Sequence, residues 1–210
     1  MKYFRLILIT LLILVLGSGL SARKNDRALR QLQHELQKLK NIRAEGIVQV
    51  NHQQFALRKS FVLAKNENEI RIDVVEGGVM GMQAEPIFSI YMSDYIALRS
   101  PMIPQLELFD LNRFVPGSPG QMISALDSLV LQHQEEIISR RKLELDNVTL
   151  TFNKDYQITE VIDKESNMTL SITYNRRKTV DIISIKEKGK ELLSLMIDKI
   201  SHEPQEIVPI

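Results

Sequence analysis

The chain of 210 residues contains no cysteine and no tryptophan, and only 6% of it is aromatic. Without thiols, disulfide scaffolds, thiolate metal sites and cysteine nucleophiles are excluded. With so few large rings, a platform for stacking bases or sugars is not expected. An excess of one charge is missing too: 27 Lys and Arg face 26 Asp and Glu, for a formal net charge of +1. A dedicated nucleic-acid binder carries a strongly basic face, so nucleic acid is not an expected partner. What remains is ordinary for a globular protein, 44% hydrophobic and 25% charged residues. The length fits one domain, or a domain plus an anchor.

Signs of catalysis are also missing. The four histidines, His34, His52, His133 and His202, show no metal-ligand spacing. Gly77, Gly78 and Gly81 match neither phosphate-loop pattern, and no Gly-x-Ser-x-Gly elbow occurs. Glu135-Glu136 and Asp163 with Glu165 read as solvated carboxylates rather than acid/base pairs. The chain is therefore expected to be no enzyme, with no cofactor and no metal.

The N-terminus carries more information. Lys2 and Arg5 precede an apolar run from Leu6 to Leu16, broken only by Thr10, and small residues follow up to Ala22. A basic start, an apolar stretch and a small-residue exit make a secretory signal over residues 1–22. The uncharged stretch from Leu6 to Ala22 is also at the lower limit for a retained membrane anchor. Leu20-Ser21-Ala22 matches the first three positions of a bacterial lipobox, but Arg23 stands where the lipid-bearing Cys would be. Both readings leave residues 23–210 as a single exported domain of a bacterium, soluble or tethered to the inner membrane.

Beyond the signal, Leu29, Leu32, Leu36, Leu39 and Ile42 recur at spacings of three and four. They predict a helix of about five turns, capped at Asn25-Asp26 and packed on a sheet. From Ala44 the apolar period falls to two. Strands are predicted over 44–51, 55–63, 70–74, 87–92 and 95–99, then over 143–145, 148–152, 157–162, 168–174, 181–186 and 192–200. Short turns between them imply antiparallel neighbours. Four prolines between Ser100 and Pro119 disfavour a long element there, although a short helix around Leu106 to Arg113 fits. Ser118-Pro119 starts a further helix, with Met122, Leu126 and Val130 on its apolar face. The expected fold is mainly β (α+β): a curved antiparallel sheet or open β-barrel of about eleven strands, with helices covering the concave face.

This order of elements resembles the bacterial LolA/LolB lipoprotein-localisation family over about residues 26–201. The resemblance is closest to LolB in two stretches, AEGIVQVNHQQFALRKSFVLAKNENEIRIDVVEGGVMGM and YQITEVIDKESNMTLSITYNRRK with KELLSLMIDKIS. The resemblance implies an incomplete barrel whose apolar cavity shields the acyl chains of lipoproteins or lipids. Each exposed CH2 costs about 0.8 kcal/mol in water, so shielding a long chain is worth a great deal. On that reading Phe61, Leu63, Ile72 and Val74 line the cavity and Met122, Leu126 and Val130 form its lid. Val79-Met80, in a Gly-flanked loop, corresponds to an apolar hook that meets the membrane surface. Arg58 lies near a residue that governs cargo handover in the carrier, although the Pro that follows it there is absent here. The implied function is a monomeric periplasmic protein that carries acyl chains and helps deliver lipoproteins to the outer membrane. The alternative is a membrane-tethered assembly or sensing factor of the same fold with no transported ligand.

Overall fold

The computed structural model describes residues 26–52, 55–76, 86–93, 95–101, 109–110, 130 and 132–210. Residues 1–22, and with them the signal or anchor, lie outside the described residues. So do Val79, Met80, Met122 and Leu126. No helix among the described residues is long and apolar enough to cross a membrane.

Helix α1 spans Asp26–Lys38, shorter than the five turns its leucine stripe predicts. It tightens at its end, where Leu39 N and Lys40 N donate to Leu36 O and Gln37 O three residues back. Ile42, the last member of the stripe, instead opens the first strand, β1 (Ile42–His52). An apolar residue at that position satisfies both periods, and a strand was free to take it. The corner is held by Lys65, a fully buried lysine whose Nζ donates to Lys40 O at 2.8 Å and Asn66 O at 2.9 Å. Those carbonyls keep the ammonium hydrogen-bonded where water does not reach.

After β1 the chain folds as β2 (Phe55–Lys65), β3 (Ile70–Val75), β4 (Pro86–Met92), β5 (Ile96–Arg99) and β6 (Phe109–Asp110). The short helix expected around Leu106 to Arg113 is thus replaced, at its centre, by a two-residue strand. An open sheet edge offers unpaired backbone groups, and an extended segment satisfies them. Helix α2 (Gln134–Arg140) follows, with Ile137 buried and a left-handed Arg141 ending it. The second series is β7 (Lys142–Glu144), β8 (Val148–Phe152), β9 (Ile158–Asp163), β10 (Met168–Tyr174), β11 (Val180–Glu187) and β12 (Lys190–Ser201).

All twelve strands join one sheet, in the order β6-β5-β4-β3-β2-β1-β12-β11-β10-β9-β8-β7. The sheet is antiparallel, curved and unclosed. It consists of two six-stranded meanders joined where the first strand pairs with the last. The chain therefore starts at the centre, runs out to one edge, crosses to the other and returns. Mainly β architecture with helices on the concave face agrees with the sequence reading, with one strand more.

Directly paired residues share a face, so the register defines the concave side. Gly46, Phe61, Val74 and Phe88 form one row. Ala44, Leu63, Ile72 and Ile90 form the next. Leu143, Leu150, Val161, Leu170 and Ile185 continue this apolar face on the far half. Lys59 lies within β2. It pairs with Val48, takes an inward position and extends its ammonium to Glu76. Leu32 and Leu36 of α1 join the same apolar cluster, as does Val130. Burying each leucine contributes about 1.5–3 kcal/mol. The lid position read for Val130 is thus occupied by a helical residue with no exposed surface, and α2 packs beside α1.

The central pairing has one demanding point. Glu45 faces Lys199 but Gly46 faces Ile197, so β12 carries an extra residue in a bulge. A Cβ on Gly46 would stand 1.9 Å from the carbonyl oxygen of Met196. Gly46→Ala is therefore expected to lose about 2 kcal/mol or more, on the order of 5 °C in Tm. Thermal unfolding followed by circular dichroism reads this, and an unchanged Tm would show that the two backbones are not held so close.

Candidate functional site

Under the C-terminal half of α1 lies a cavity of about 140 Å³, bounded by the β8–β9 and β10–β11 turns. Leu36, Leu39, Ile158, Ile172 and Val180 supply its apolar wall. Glu35, Lys38, Gln157, Arg177 and Lys178 supply a polar rim.

Two asparagines build the turns that carry this rim. Asn153 Oδ1 accepts from Asp155 N at 2.9 Å and Gln157 N at 3.1 Å, and Asn153 Nδ2 donates to Gln157 Oε1 at 3.0 Å. Asn175 Oδ1 accepts from Arg177 N at 2.9 Å and Thr179 N at 3.2 Å, and Asn175 N donates to Thr179 O at 2.9 Å. Such side-chain-to-backbone bonds are how Asn stabilises a turn. Lys178 adopts a left-handed φ of 61° within the second turn.

Gln157, 5% exposed, connects the three elements. With its carbonyl held by Asn153, its Nε2 donates to Glu35 Oε2 of α1 and to Lys178 O, both at 2.9 Å. Asp155 accepts from Gln31 Nε2 at 3.3 Å and pairs with Lys178 Nζ at 2.8 Å. The Lys178 ammonium holds the Asp155 carboxyl below the usual range. Lys38 pairs with Glu35 at 2.6 Å. Beneath them Tyr174 donates its OH to Ile158 O at 2.7 Å. Burial, and secondarily the charge of Glu35, pushes that phenol upward.

Deeper in the concave face is a small void of about 10 Å³, room for about one water molecule, lined by apolar residues only. Phe61, Leu63, Ile183, Leu195 and Ile197 are among them. Val180 borders both this void and the outer cavity. One side chain, Val180, therefore stands between the two spaces, the outer one at the polar rim and the inner one at the centre line of the sheet. The inward residues of β12 along that line, Leu193, Leu195, Ile197 and Ile200, are half-buried, whereas Val48, Phe61 and Leu63 are closed off.

The expected cavity residues come together in part. Phe61 and Leu63 line the void. Val74 is buried in the Phe61 row, and Ile72 is half-buried beside Leu63. Arg58 is exposed opposite Gln49, on the face turned away from Phe61 and Leu63. Sequence reasoning overlooked Val180, Gln157 and Arg177. The last stands in a run of three cations, Arg176-Arg177-Lys178, between β10 and β11. Among the described residues no group of His, Asp or Glu could hold a metal ion.

The tyrosines give a pH prediction. On the convex face burial, then a hydrogen bond to Glu69, pushes Tyr91 up to about 12. A phenol whose folded pKa exceeds its unfolded value of about 10 favours the folded state below pH 10. That contribution is lost as pH rises toward about 12. Tyr91 and Tyr174 are therefore expected to stay protonated until alkaline unfolding, with stability falling above pH 10. Phenolate absorbance and urea unfolding across that range test it; ionisation of all tyrosines near pH 10 without unfolding would contradict it.

No protein-family model matches the chain, and no curated protein matches it. Among solved structures, a LolA-superfamily protein from Nitrosomonas europaea is similar at 10% identity and a TM-score of 0.49, covering 88% of this chain and 96% of that one. A protein domain from Vibrio parahaemolyticus, named for outer-membrane lipoprotein sorting, is similar at 9% identity and a TM-score of 0.45, covering 85% and 93%. A DUF1329 family protein from Desulfovibrio piger is similar at 8% identity and a TM-score of 0.37, also covering 85% and 93%.

Proposed function

We propose that this protein is a periplasmic acyl-chain-binding protein that shields lipid tails in its concave face and helps deliver lipoproteins to the outer membrane. The observation that carries this reading is the adjacency of two apolar-walled spaces, the outer cavity and the void over Phe61 and Leu63, with Val180 bordering both. Inside the polar rim, a chain entering there meets the apolar side chains of Leu36, Leu39, Ile158, Ile172 and Val180. The described spaces are small, so uptake requires apolar neighbours to shift rather than a pocket already open. On this reading Met122 and Leu126 extend the lid begun by Val130, Val79-Met80 engages the membrane surface, and Arg58 acts from the outer face. On the same reading the N-terminal segment is an export signal, cleaved or retained as a tether.

The tightness of the central void supports a second reading, a tethered assembly factor whose core is filled by its own side chains. Val180→Trp separates the two. A neutral, environment-sensitive dodecyl probe is expected to brighten with the wild type and to bind at least about tenfold more weakly to Val180→Trp. Val180→Ala should retain binding, and circular dichroism checks that both variants fold. Unaltered binding by Val180→Trp would remove the proposed path, whereas a wild type that neither binds the probe nor carries co-purified lipid would favour the filled core. Separately, Met80→Asp is expected to bind the probe normally but deliver it to phospholipid vesicles several-fold more slowly. Equal delivery would exclude the membrane role of that loop.

A further inference from the structure

The rim of the outer cavity is not electrically balanced. Lys38 is matched by Glu35 and Lys178 by Asp155, each at contact distance. Arg177 lines the same cavity, is exposed, and pairs with no carboxylate among the described residues. Its position is also predetermined. Asn175 accepts from its backbone N–H at 2.9 Å. The next residue is held at its side chain by Asp155 and at its carbonyl by Gln157. An unpaired guanidinium on a braced turn, beside an apolar cavity wall, combines two recognition chemistries. Its planar donor fork suits phosphate oxygens, and the wall behind it suits hydrocarbon.

We propose that the mouth beneath α1 selects acyl lipids whose headgroup carries a negatively charged phosphate, held at Arg177 while the tail passes Val180. This rests on the acyl-binding reading above and adds the class of lipid. Arg177 supplies the attraction; the Lys38–Glu35 and Lys178–Asp155 pairs frame the headgroup without adding net charge. A zwitterionic lipid of the same tail gains the apolar contact but brings its own cation to the guanidinium.

The test uses displacement of the neutral dodecyl probe by lysophosphatidylglycerol and lysophosphatidylcholine of equal chain length, both below micelle formation. The wild type is expected to bind the anionic lipid at least about tenfold more tightly. The preference should shrink to within about twofold in Arg177→Gln and weaken between about 50 mM and about 500 mM salt. Arg177→Lys should keep part of it, having the charge but not the fork. Equal affinity of the wild type for both lipids would overturn headgroup selection while leaving acyl binding in place. Failure of both lipids to displace the probe would overturn both readings. Displacement by glycerol phosphate alone would show a free-anion site rather than a lipid site and would also overturn the proposal.

Discussion

The pairing of β1 with β12 is the constraint on which the molecule depends. Each meander is internally complete, but each alone would present one apolar face to water. Joining them at their innermost strands makes a single trough, and the void and its half-buried lining lie along that joint. The price of the joint is visible at Gly46, where the two backbones come too close for any side chain. The bulge there also sets which residues of β12 face inward. Ile197 and Ile200 then fall on the same side as Gly46 and Ala44.

A second dependence links the helix to the sheet. α1 adheres through Leu32 and Leu36, contacts that are strong but unspecific in direction. Its lateral position is specified by polar contacts to two turns, Glu35 to Gln157 and Gln31 to Asp155. Gln157 matters most, since a buried amide that lost one partner would cost about 1–3 kcal/mol. The arrangement separates adhesion from registration. Under the proposed acyl binding, apolar contacts exchange for those of a bound chain, while the turns at the cavity rim stay braced by Asn153 and Asn175.

How much of this was legible in the chain differs by element. The strands were, because alternation such as Ile70-Arg71-Ile72-Asp73-Val74 has no other physical reading. Helix α1 was legible in its face but not its end, since Ile42 satisfies helical and strand periods alike. The two-residue β6 left no local signal; it exists because a neighbouring edge needed partners. Lys59 and Lys65 point inward against expectation, one extending along apolar neighbours to Glu76, the other held by carbonyls that only tertiary structure supplies. Of the site, Phe61 and Leu63 could be found as inward strand residues. Val180 and Gln157 could not, because their importance comes from three distant segments meeting, which no short window of sequence contains.

The central joint also has a kinetic meaning. Glu45 and Lys199, partners across it, are 154 positions apart. Contacts between such distant segments form slowly, since a large loop must close before any of them is rewarded. The first meander can form early, yet its apolar face has no opposite half until the last strand arrives. During that interval β1 is an open edge, the kind of surface that recruits strands from other chains. A polypeptide delivered across a membrane from its N-terminus would hold this half-trough exposed until its final strand emerged. Its most vulnerable state is therefore the nearly complete chain, and assistance from a chaperone would matter most at that moment.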